Sequence, residues 1–367
     1  MILQNQSLIV KITVGLVGII AFIVVASVGR NFLYPLFIGV LFSYLLFPIS
    51  YQLEKKRVPR TLAIIISILF GISVIGGILF FLYNRLTFFL ADFQAIKANA
   101  MVSLEIIQNK VETIFGISVG SQKQWMRDNL NKMLETGAGN IQSALSATTT
   151  TIFTFGILPV YVFFMTFYRN KFRNFVLMIT PNGKHAATKK VMDQLSDVTR
   201  KYIGGVVAVV MILCVLNSLG LWIVGIKYAI MFGILSALMN LIPYFGTLIG
   251  ASIPLTFTLL SGTPEKAIGV LILFMIIQFT ENNILTPNIT GGSVQINPFF
   301  TIIGIVLGGM LWGIPGMLVA IPLLGTLKII FENIDAFHPY AFLMGVSGPR
   351  KYIKIKKSPK QEEQQAA

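Results

Sequence analysis

Residues 229–261 read A-I-M-F-G-I-L-S-A-L-M-N-L-I-P-Y-F-G-T-L-I-G-A-S-I-P-L-T-F-T-L-L-S and contain no charged side chain. A hydrocarbon core about 30 Å thick is crossed by about 20 helical residues, so this run is too long for one straight crossing. Proline removes a backbone donor and clashes with the preceding turn, so we expect a break at N-L-I-P-Y-F-G, residues 240–246. The run predicts either one long, kinked crossing or a re-entrant hairpin of two half-helices.

A second long apolar run, residues 299–331, is interrupted in the same way at G-M-L-W-G-I-P-G, residues 309–316. Other apolar runs of spanning length lie at 8–29, 32–53, 62–84, 150–168, 202–226 and 267–285. The chain is 55% apolar and only 12% charged, against about 25% charged in soluble domains. Backbone groups in lipid must be paired within their own segment, and these runs lack the alternation of barrel strands. The sequence therefore predicts an all-α polytopic membrane protein with about six full spans plus two interrupted segments.

Basic residues predict the orientation of the spans. They concentrate after the second span (Lys55 to Arg60), after the fourth (Arg169 to Lys201) and in the tail (Arg350 to Lys360). Lys and Arg favour the cytoplasmic side, which predicts that both termini are cytoplasmic. Kinked crossings and hairpins both satisfy this orientation, because converting both long runs to hairpins removes two crossings together. The link 286–298 would face the cytoplasm with hairpins and the outside with crossings.

The segment from Phe89 to Leu145 is neither a span nor a simple loop. Its apolar residues recur at steps of three and four, which predicts an amphipathic helical hairpin on the extracytoplasmic side. Its apolar stripe either covers the membrane mouth or meets its copy in a neighbouring subunit. The predicted organisation is N-terminal spans (1–84), the helical insert (85–149), a transport region (150–340) and a basic cytoplasmic tail (341–367).

Glu281 is an acidic residue embedded in an apolar span, within Q-F-T-E-N-N-I-L-T-P-N. A charge at bilayer depth costs about 2.5 to 3.5 kcal/mol on insertion scales, so such a group normally faces a protein-lined or watery cavity. Its carboxyl group could exchange a proton, or bind a cation together with the amides of Gln278, Asn282 and Asn283. The alternative is that Glu281 reaches the interface near a helix end or caps a neighbour.

The interrupted segments supply further candidate site residues, since broken helices expose backbone dipoles that can hold an ion or substrate group. Pro243 and Gly246 are predicted hinge residues of the first break, with Asn240 and Tyr244 as polar contacts. Ordinary helix packing is the alternative role of these four. The other predicted hinge or break positions are Pro287, Pro298, Gly313, Pro315, Gly316 and Pro322.

Taken in order, N-L-I-P-Y-F-G, E-N-N-I-L-T-P-N-I-T-G, I-N-P-F-F and G-I-P-G-M-L-V-A-I-P resemble the C-terminal signature of the autoinducer-2 exporter (AI-2E) family, also called PerM-type permeases. The resemblance covers essentially the whole chain. It implies a homo-oligomeric transporter of the bacterial inner membrane. Some members are assigned export of autoinducer-2, and others exchange of Na⁺ or Li⁺ for protons. Thr247 and Asn297 depart from the proline and histidine that many relatives have. The matching positions are Asn240, Pro243, Tyr244, Gly246, Glu281, Asn282, Pro287, Pro298, Gly313, Gly316 and Pro322.

Two sequence motifs that would indicate ATP hydrolysis or metalloprotease activity are absent, which limits the classes of function to consider. The chain has no G-x-x-x-x-G-K-[ST] phosphate loop, so transport would be gradient-driven or passive. An intramembrane metalloprotease would need H-E-x-x-H, whereas the two histidines are His185 and His338. We therefore predict no enzyme activity, no cofactor and no metal site, and the lack of a recognition module argues against nucleic acid. The predicted partners are the lipid bilayer and a small polar solute or monovalent cation and proton. The predicted function is secondary transport by alternating access past Glu281, with a passive channel or pore-forming oligomer as the alternative.

Overall fold

The computed structural model describes residues 8–92, 156–243, 245–261, 264–290 and 294–346, with scattered helical positions between 98 and 143. These residues form helices and one isolated antiparallel bridge, from Ile296 to Gly345. The helices are α1 (Leu8–Val28), α2 (Arg30–Lys55), α3 (Arg60–Ala91), α4 (Leu158–Phe167), α5 (Arg169–Met178), α6 (His185–Ile223), α7 (Ala229–Met239), α8 (Gly246–Leu260), α9 (Pro264–Thr280), a π-helical turn (Glu281–Leu285), α10 (Thr286–Ile289), α11 (Pro298–Trp312), α12 (Ile314–Glu332), a 3₁₀ turn (Asp335–Phe337) and α13 (His338–Met344).

Within the described ranges, five helical segments are long and apolar enough to cross a membrane: α2, α3, α6, Glu265–Ile289 and α12. The prediction of an all-α polytopic membrane protein is confirmed. The span predicted at 150–168 is described from residue 156 onward and contains the helix Leu158–Phe167. α6 starts well before its predicted span, because the charged residues from His185 to Lys201 continue the same helix.

α3 extends to Ala91, so the predicted boundary between the first spans and the insert at 84/85 lies inside this helix. Phe89, the first residue of the predicted amphipathic stripe, lies on α3, with its ring centroid 5.8 Å from those of Tyr228 and Phe257. The rest of the predicted helical hairpin falls outside the described residues, apart from isolated helical positions.

Residues 229–261 fold back on themselves as an antiparallel helical hairpin, which we call hairpin 1. α7 has 11 residues and α8 has 15, and residues distant in sequence pair across them. The Ser236 hydroxyl donates to the Gly250 carbonyl at 2.5 Å, and the ring centroids of Phe232 and Phe257 lie 4.8 Å apart. Of the two predicted arrangements, the structure therefore has the hairpin and not the single kinked crossing.

Residues 299–331 form hairpin 2 from α11 and α12. A Cβ atom on Gly316 would lie 1.9 Å from the Gly308 carbonyl oxygen, so only glycine permits this approach of the two backbones. The turn is made at Gly313, whose φ of 63° is easily adopted only by glycine. The indole N–H of Trp312 donates to the Ala26 carbonyl at 2.9 Å, which places the hairpin tip against α1. α12 has 19 residues and is long enough to cross by itself, so this hairpin is not made of two short half-helices.

α6 is the helix on which the two hairpins converge, since it contacts both α7 and α12. A Cβ atom on Gly233 of α7 would lie 2.3 Å from the Ser218 hydroxyl of α6, so glycine lets these helices pack closely. Two buried apolar clusters surround this contact, one made by Leu82, Leu221, Ile226, Ala229, Met231, Phe232, Phe257 and Val270, and the other by Val209, Val210, Leu213, Ala237 and Ile277.

An ion pair joins the end of α3 to the link before hairpin 1. Lys227 Nζ lies 2.5 Å from Asp92 Oδ2, and the Tyr228 hydroxyl also donates to this oxygen. Tyr228 has a φ of 65°, a left-handed conformation that is uncommon for a residue with a side chain. The hydrogen bond from Lys227 lowers the pKa of Asp92, and the bond from Tyr228 acts in the same direction. The Asp92 side chain thus holds Tyr228, the residue immediately before α7, in place.

We expect Asp92→Asn to lower the melting temperature at neutral pH and to lose this effect in acid. The folded-state pKa of Asp92 lies below its unfolded value. Its contribution is therefore fully present above the unfolded pKa of about 3.9 and disappears as pH falls through the lower, folded pKa. Thermal unfolding of the purified protein across a pH series measures the difference between wild type and variant. Asp335→Asn, at an exposed acid, is the control, and a difference that grows in acid would contradict the assignment.

Candidate functional site

A small buried cavity of about 10 Å³ lies where α7 ends and α8 begins, against α6 and the end of α9. Four elements contribute polar side chains to it. α6 provides Asn217, α7 and its end provide Ser236 and Asn240, α8 provides Thr247, and α9 with the π-helical turn provides Gln278 and Glu281. The apolar part of the lining is Leu213, Phe274 and Ile277.

Glu281 is only 7% exposed. The side-chain amide of Asn240 donates to its Oε1 at 2.8 Å, whereas Oε2 has no hydrogen-bond partner. Glu281 and Asn240 thus meet, although 41 residues separate them in the chain. The predicted alternative in which Glu281 reaches the membrane interface does not agree with this burial.

Asn217 faces the same cavity from α6 and is 3% exposed. Its Oδ1 atom is a second buried acceptor without a partner, and within the described residues the remaining buried side-chain polar atom without a partner is a donor, Arg60 Nε. Buried polar atoms are normally paired, so two unpaired acceptors at one cavity indicate a place for a donor or a cation. Sequence reasoning missed Asn217, although a lone amide in the apolar run 202–226 was a visible signal.

Glu281 is the first residue of the π-helical turn and is buried. In a regular α-helix the ring of Pro287 would clash with the carbonyl of Asn283 four residues earlier, and the wider π-helical turn precedes this proline. Thr286 N–H accordingly donates to the Glu281 carbonyl, five residues back. π-helical turns of this kind occur frequently at functional sites.

The structure does not bring Asn282 and Asn283 to the cavity. Both side chains are exposed, with Asn283 donating to the Phe279 carbonyl at 2.8 Å and Asn282 accepting from Gln278 at 3.0 Å. Successive residues of a helix point in different directions, so Gln278 and Glu281, three apart, share the inner face. Of the three amides predicted around Glu281, Gln278 therefore lines the cavity, and Asn282 and Asn283 do not.

Several predicted break positions lie where the helices are interrupted. Pro243 is in the turn between α7 and α8, and Gly246 begins α8, while Tyr244 lies outside the described residues. In hairpin 2, Gly313 makes the turn, and Pro315 and Gly316 stand in the first turn of α12.

Three other prolines require a correction, because they do not interrupt a helix. Pro298 begins α11, where Asn297 caps the helix by accepting a hydrogen bond from Phe299 N–H at 3.0 Å. Pro287 lies in α10, which continues the π-helical turn without a gap. Pro322 is buried inside α12, and the helix runs through it. A proline at the first helical turn loses no intrahelical bond, and interior prolines are tolerated in membrane helices packed against neighbours.

The cavity fits one particle of the size of a water molecule, which needs about 10–15 Å³. Its free ligands are a carboxylate oxygen and an amide oxygen, which suit a proton carrier or a small, hard cation. Over the described part of the chain, no group of three or more His, Cys, Asp or Glu residues could hold a metal ion.

Comparison with known proteins identifies relatives along most of the chain. The profile described as "AI-2E family transporter" matches residues 16–336. YrrI of Bacillus subtilis, named provisionally as a transport protein, is 30% identical over 81% of this chain and 84% of its own length. YueF of the same organism, named in the same way, is 27% identical over 82% of this chain and 84% of its own length. The Escherichia coli "AI-2 transport protein TqsA" is 26% identical over 87% of this chain and 90% of its own length.

Proposed function

The chain belongs to the AI-2E transporter family, and on this basis we propose that it is a secondary transporter whose coupling ion binds at Glu281. The observation that carries the proposal is the pair of unpaired acceptors, Glu281 Oε2 and Asn217 Oδ1, at one buried cavity. A charged carboxylate oxygen without a partner is costly away from water. A proton on Oε2, or a cation between the two oxygens, removes this cost.

Proton and cation compete for the same oxygens in this proposal. Asn240 holds Oε1 of Glu281 and leaves Oε2 free for either. Protonation of Oε2 removes the negative charge that attracts a cation, and a bound cation excludes the proton. This competition is the physical basis of exchange of Na⁺ or Li⁺ for H⁺.

The size of the Glu281 cavity supports one kind of cargo over another. A cavity of about 10 Å³ has room for an ion or one water molecule, which favours exchange of Na⁺ or Li⁺ for H⁺ at this site. A small polar solute or signalling molecule, such as the AI-2 in the name of TqsA, would need a larger opening in another conformation. In that case Glu281 would serve the coupling proton and the solute would take a separate path.

The proposed mechanism is alternating access around the two hairpins. Hairpin 1 carries Asn240 and Ser236, and hairpin 2 also packs against α6. Movement of hairpin 1 relative to α6 and α9 would separate Asn240 from Glu281 and open the cavity. Broken helices at ion sites support this kind of motion in transporters.

The proposed setting is the bacterial inner membrane, with both termini cytoplasmic and the chain in a homo-oligomer. The basic links support this orientation by the positive-inside rule. The ends of each hairpin return to one side, so the link 286–298 would face the cytoplasm. The predicted insert at 85–149 would then be extracytoplasmic and available to a neighbouring subunit.

Flux in reconstituted vesicles tests the proposal. We expect the purified protein to move protons in exchange for Na⁺ or Li⁺, with saturation, and to stop when the proton gradient is collapsed. Vesicles without protein are the control, and K⁺, AI-2 and small polar metabolites complete the panel. Flux that ignores the gradient and saturates only weakly would instead support the passive channel.

A further inference from the structure

A second cavity, of about 610 Å³, lies between α2, α4, α5 and the first half of α6, and we call it the interfacial cavity. Its volume is within the range of about 300–1,000 Å³ that is usual for sites binding small molecules. It shares no lining residue with the Glu281 cavity, and α6 contributes to the two at positions about four turns apart. It is therefore a separate site.

Charged residues of both signs line the interfacial cavity. Arg173 pairs with Asp193 at 2.8 Å, and Arg200 pairs with Asp197 at 3.1 Å. The four side chains are 41–56% exposed, so each pair faces water and contributes little to stability. Because these ion pairs are weak, each arginine and each carboxylate can give up its partner side chain and bind a ligand that carries both a negative and a positive group.

Arg169 belongs to the wall of this cavity. Its guanidinium makes two hydrogen bonds to Glu54, at 2.9 and 2.5 Å, and lies over the Phe47 ring at 5.0 Å from its centroid. This paired, partly buried arginine fixes α5 against α2. The side chains available to a ligand are therefore those of the exposed pairs.

Beside these charged groups the cavity is lined by apolar side chains from three helices, Val40, Met165 and Val176, and by polar ones such as Ser43 and Thr166. α5 forms one wall and presents large apolar side chains on its outside, where Phe175 is 59% and Met178 83% exposed. A short helix with basic residues on one face and exposed apolar residues on the other is typical of a helix lying in the membrane interface. The cavity thus combines apolar side chains in its lining with exposed ion pairs at its rim, next to a helix that carries exposed apolar residues.

We propose that the interfacial cavity binds a phospholipid whose headgroup carries a phosphate and a primary ammonium, as phosphatidylethanolamine does. Arg173 and Arg200 would bind the phosphate oxygens, and Asp193 and Asp197 would accept hydrogen bonds from the ammonium. The apolar side chains of the lining would contact the glycerol and the first carbons of the acyl chains. This inference does not depend on the transport mechanism proposed above.

The balance of charges distinguishes this ligand from other lipids. Two carboxylates at the rim repel a purely anionic headgroup such as phosphatidylglycerol. A trimethylated headgroup such as phosphatidylcholine has no N–H to donate to them. A water-soluble phosphate–ammonium zwitterion would match the rim but leave the apolar side chains of the lining without a partner.

Titration of the purified full-length protein with short-chain lipids, followed by native mass spectrometry, tests the proposal. We expect phosphatidylethanolamine to bind about tenfold more tightly than phosphatidylglycerol, phosphatidylcholine and soluble glycerophosphoethanolamine. Equal binding of phosphatidylglycerol would overturn the role of the carboxylates. Equal binding of glycerophosphoethanolamine would show a site for a free solute and not for a lipid.

Charge-neutral double variants locate the site. Arg173→Gln with Asp193→Asn, and Arg200→Gln with Asp197→Asn, each keep the net charge and an amide in place of each charged group. We expect each to weaken phosphatidylethanolamine binding about tenfold. Lys328→Gln with Glu332→Gln removes an ion pair on α12, away from the cavity, and should leave binding unchanged.

Salt dependence of the wild-type protein supplies a test that needs no variant. The rim charges are exposed, so about 0.5 M salt should weaken phosphatidylethanolamine binding markedly compared with low salt. Binding that is insensitive to salt would overturn the proposal, even if a rim variant failed to fold. Equal loss of binding in the rim variants and in the α12 control would overturn it as well.

Discussion

Replacing Glu281 with glutamine is expected to reduce proton-coupled flux in vesicles to the level of protein-free vesicles. Glutamine has nearly the same shape and can still accept the hydrogen bond from Asn240, so the packing around α9 should persist. It cannot exchange a proton at this position or supply a negative charge to a cation. The substitution therefore removes the proposed chemistry and keeps the structure.

The controls for this substitution separate chemistry from folding. Glu332→Gln removes a carboxylate that lies outside the site and pairs with Lys328, so its flux should equal that of wild type. Glu281→Gln protein should insert, purify and elute as wild type does. Wild-type coupled flux in the Glu281→Gln protein would refute the assignment of Glu281 as the coupling residue.

Asn217 provides an independent arm of the same experiment. Asn217→Leu replaces the second unpaired acceptor by an apolar group of similar size. If a cation bridges the two oxygens, its apparent affinity should fall by about tenfold or more, since a ligand is lost. If Glu281 carries only a proton, the affinity for cations should change little, and the two substitutions together decide which ion uses the site.

The sequence alone predicted the membrane class and the positions of the two main helix breaks, because both depend on local properties. The length of an apolar run indicates whether a helix lies in lipid or in water. Proline and glycine indicate where a helix is interrupted. Glu281 was predicted to face a protein-lined or watery cavity for the same reason, since a charge in an apolar run is costly in lipid.

The partners of Glu281 could not all be predicted, because they depend on how distant helices pack. Asn282 and Asn283 are adjacent to Glu281 in sequence and yet point away from it, whereas Asn217 lies 64 positions earlier and faces the cavity. The choice between a kinked crossing and a hairpin was likewise open, since charge counting reports only whether the number of crossings is odd or even. Close glycine contacts such as Gly308 with Gly316 decide it, and these contacts are visible only in three dimensions.

Gly246→Ala is expected to destabilise hairpin 1 more than an alanine at most other glycines of the chain. The added Cβ atom would lie 2.0 Å from the Met239 carbonyl oxygen and 2.6 Å from the Asn240 Cα atom. Both are backbone atoms, so no side chain can rotate to relieve the contact, and the two arms must separate. Overpacking in a core typically costs about 1–3 kcal/mol of folding free energy. We expect the cost of this backbone contact to lie at the upper end of this range or above it.

The same substitution links the fold to the site, because the residue displaced is Asn240, the hydrogen-bond donor to Glu281. We therefore expect Gly246→Ala to lower the melting temperature by several degrees and to impair coupled flux. Gly204→Ala is the matched control, since a Cβ atom at this glycine of α6 meets no atom within 4 Å. An alanine in a helix is intrinsically favourable, so the control should be neutral or stabilising. Equal melting temperatures for the two variants would contradict the close contact between α7 and α8 at Gly246. The packing of these two helices would then not be what places Asn240 next to Glu281.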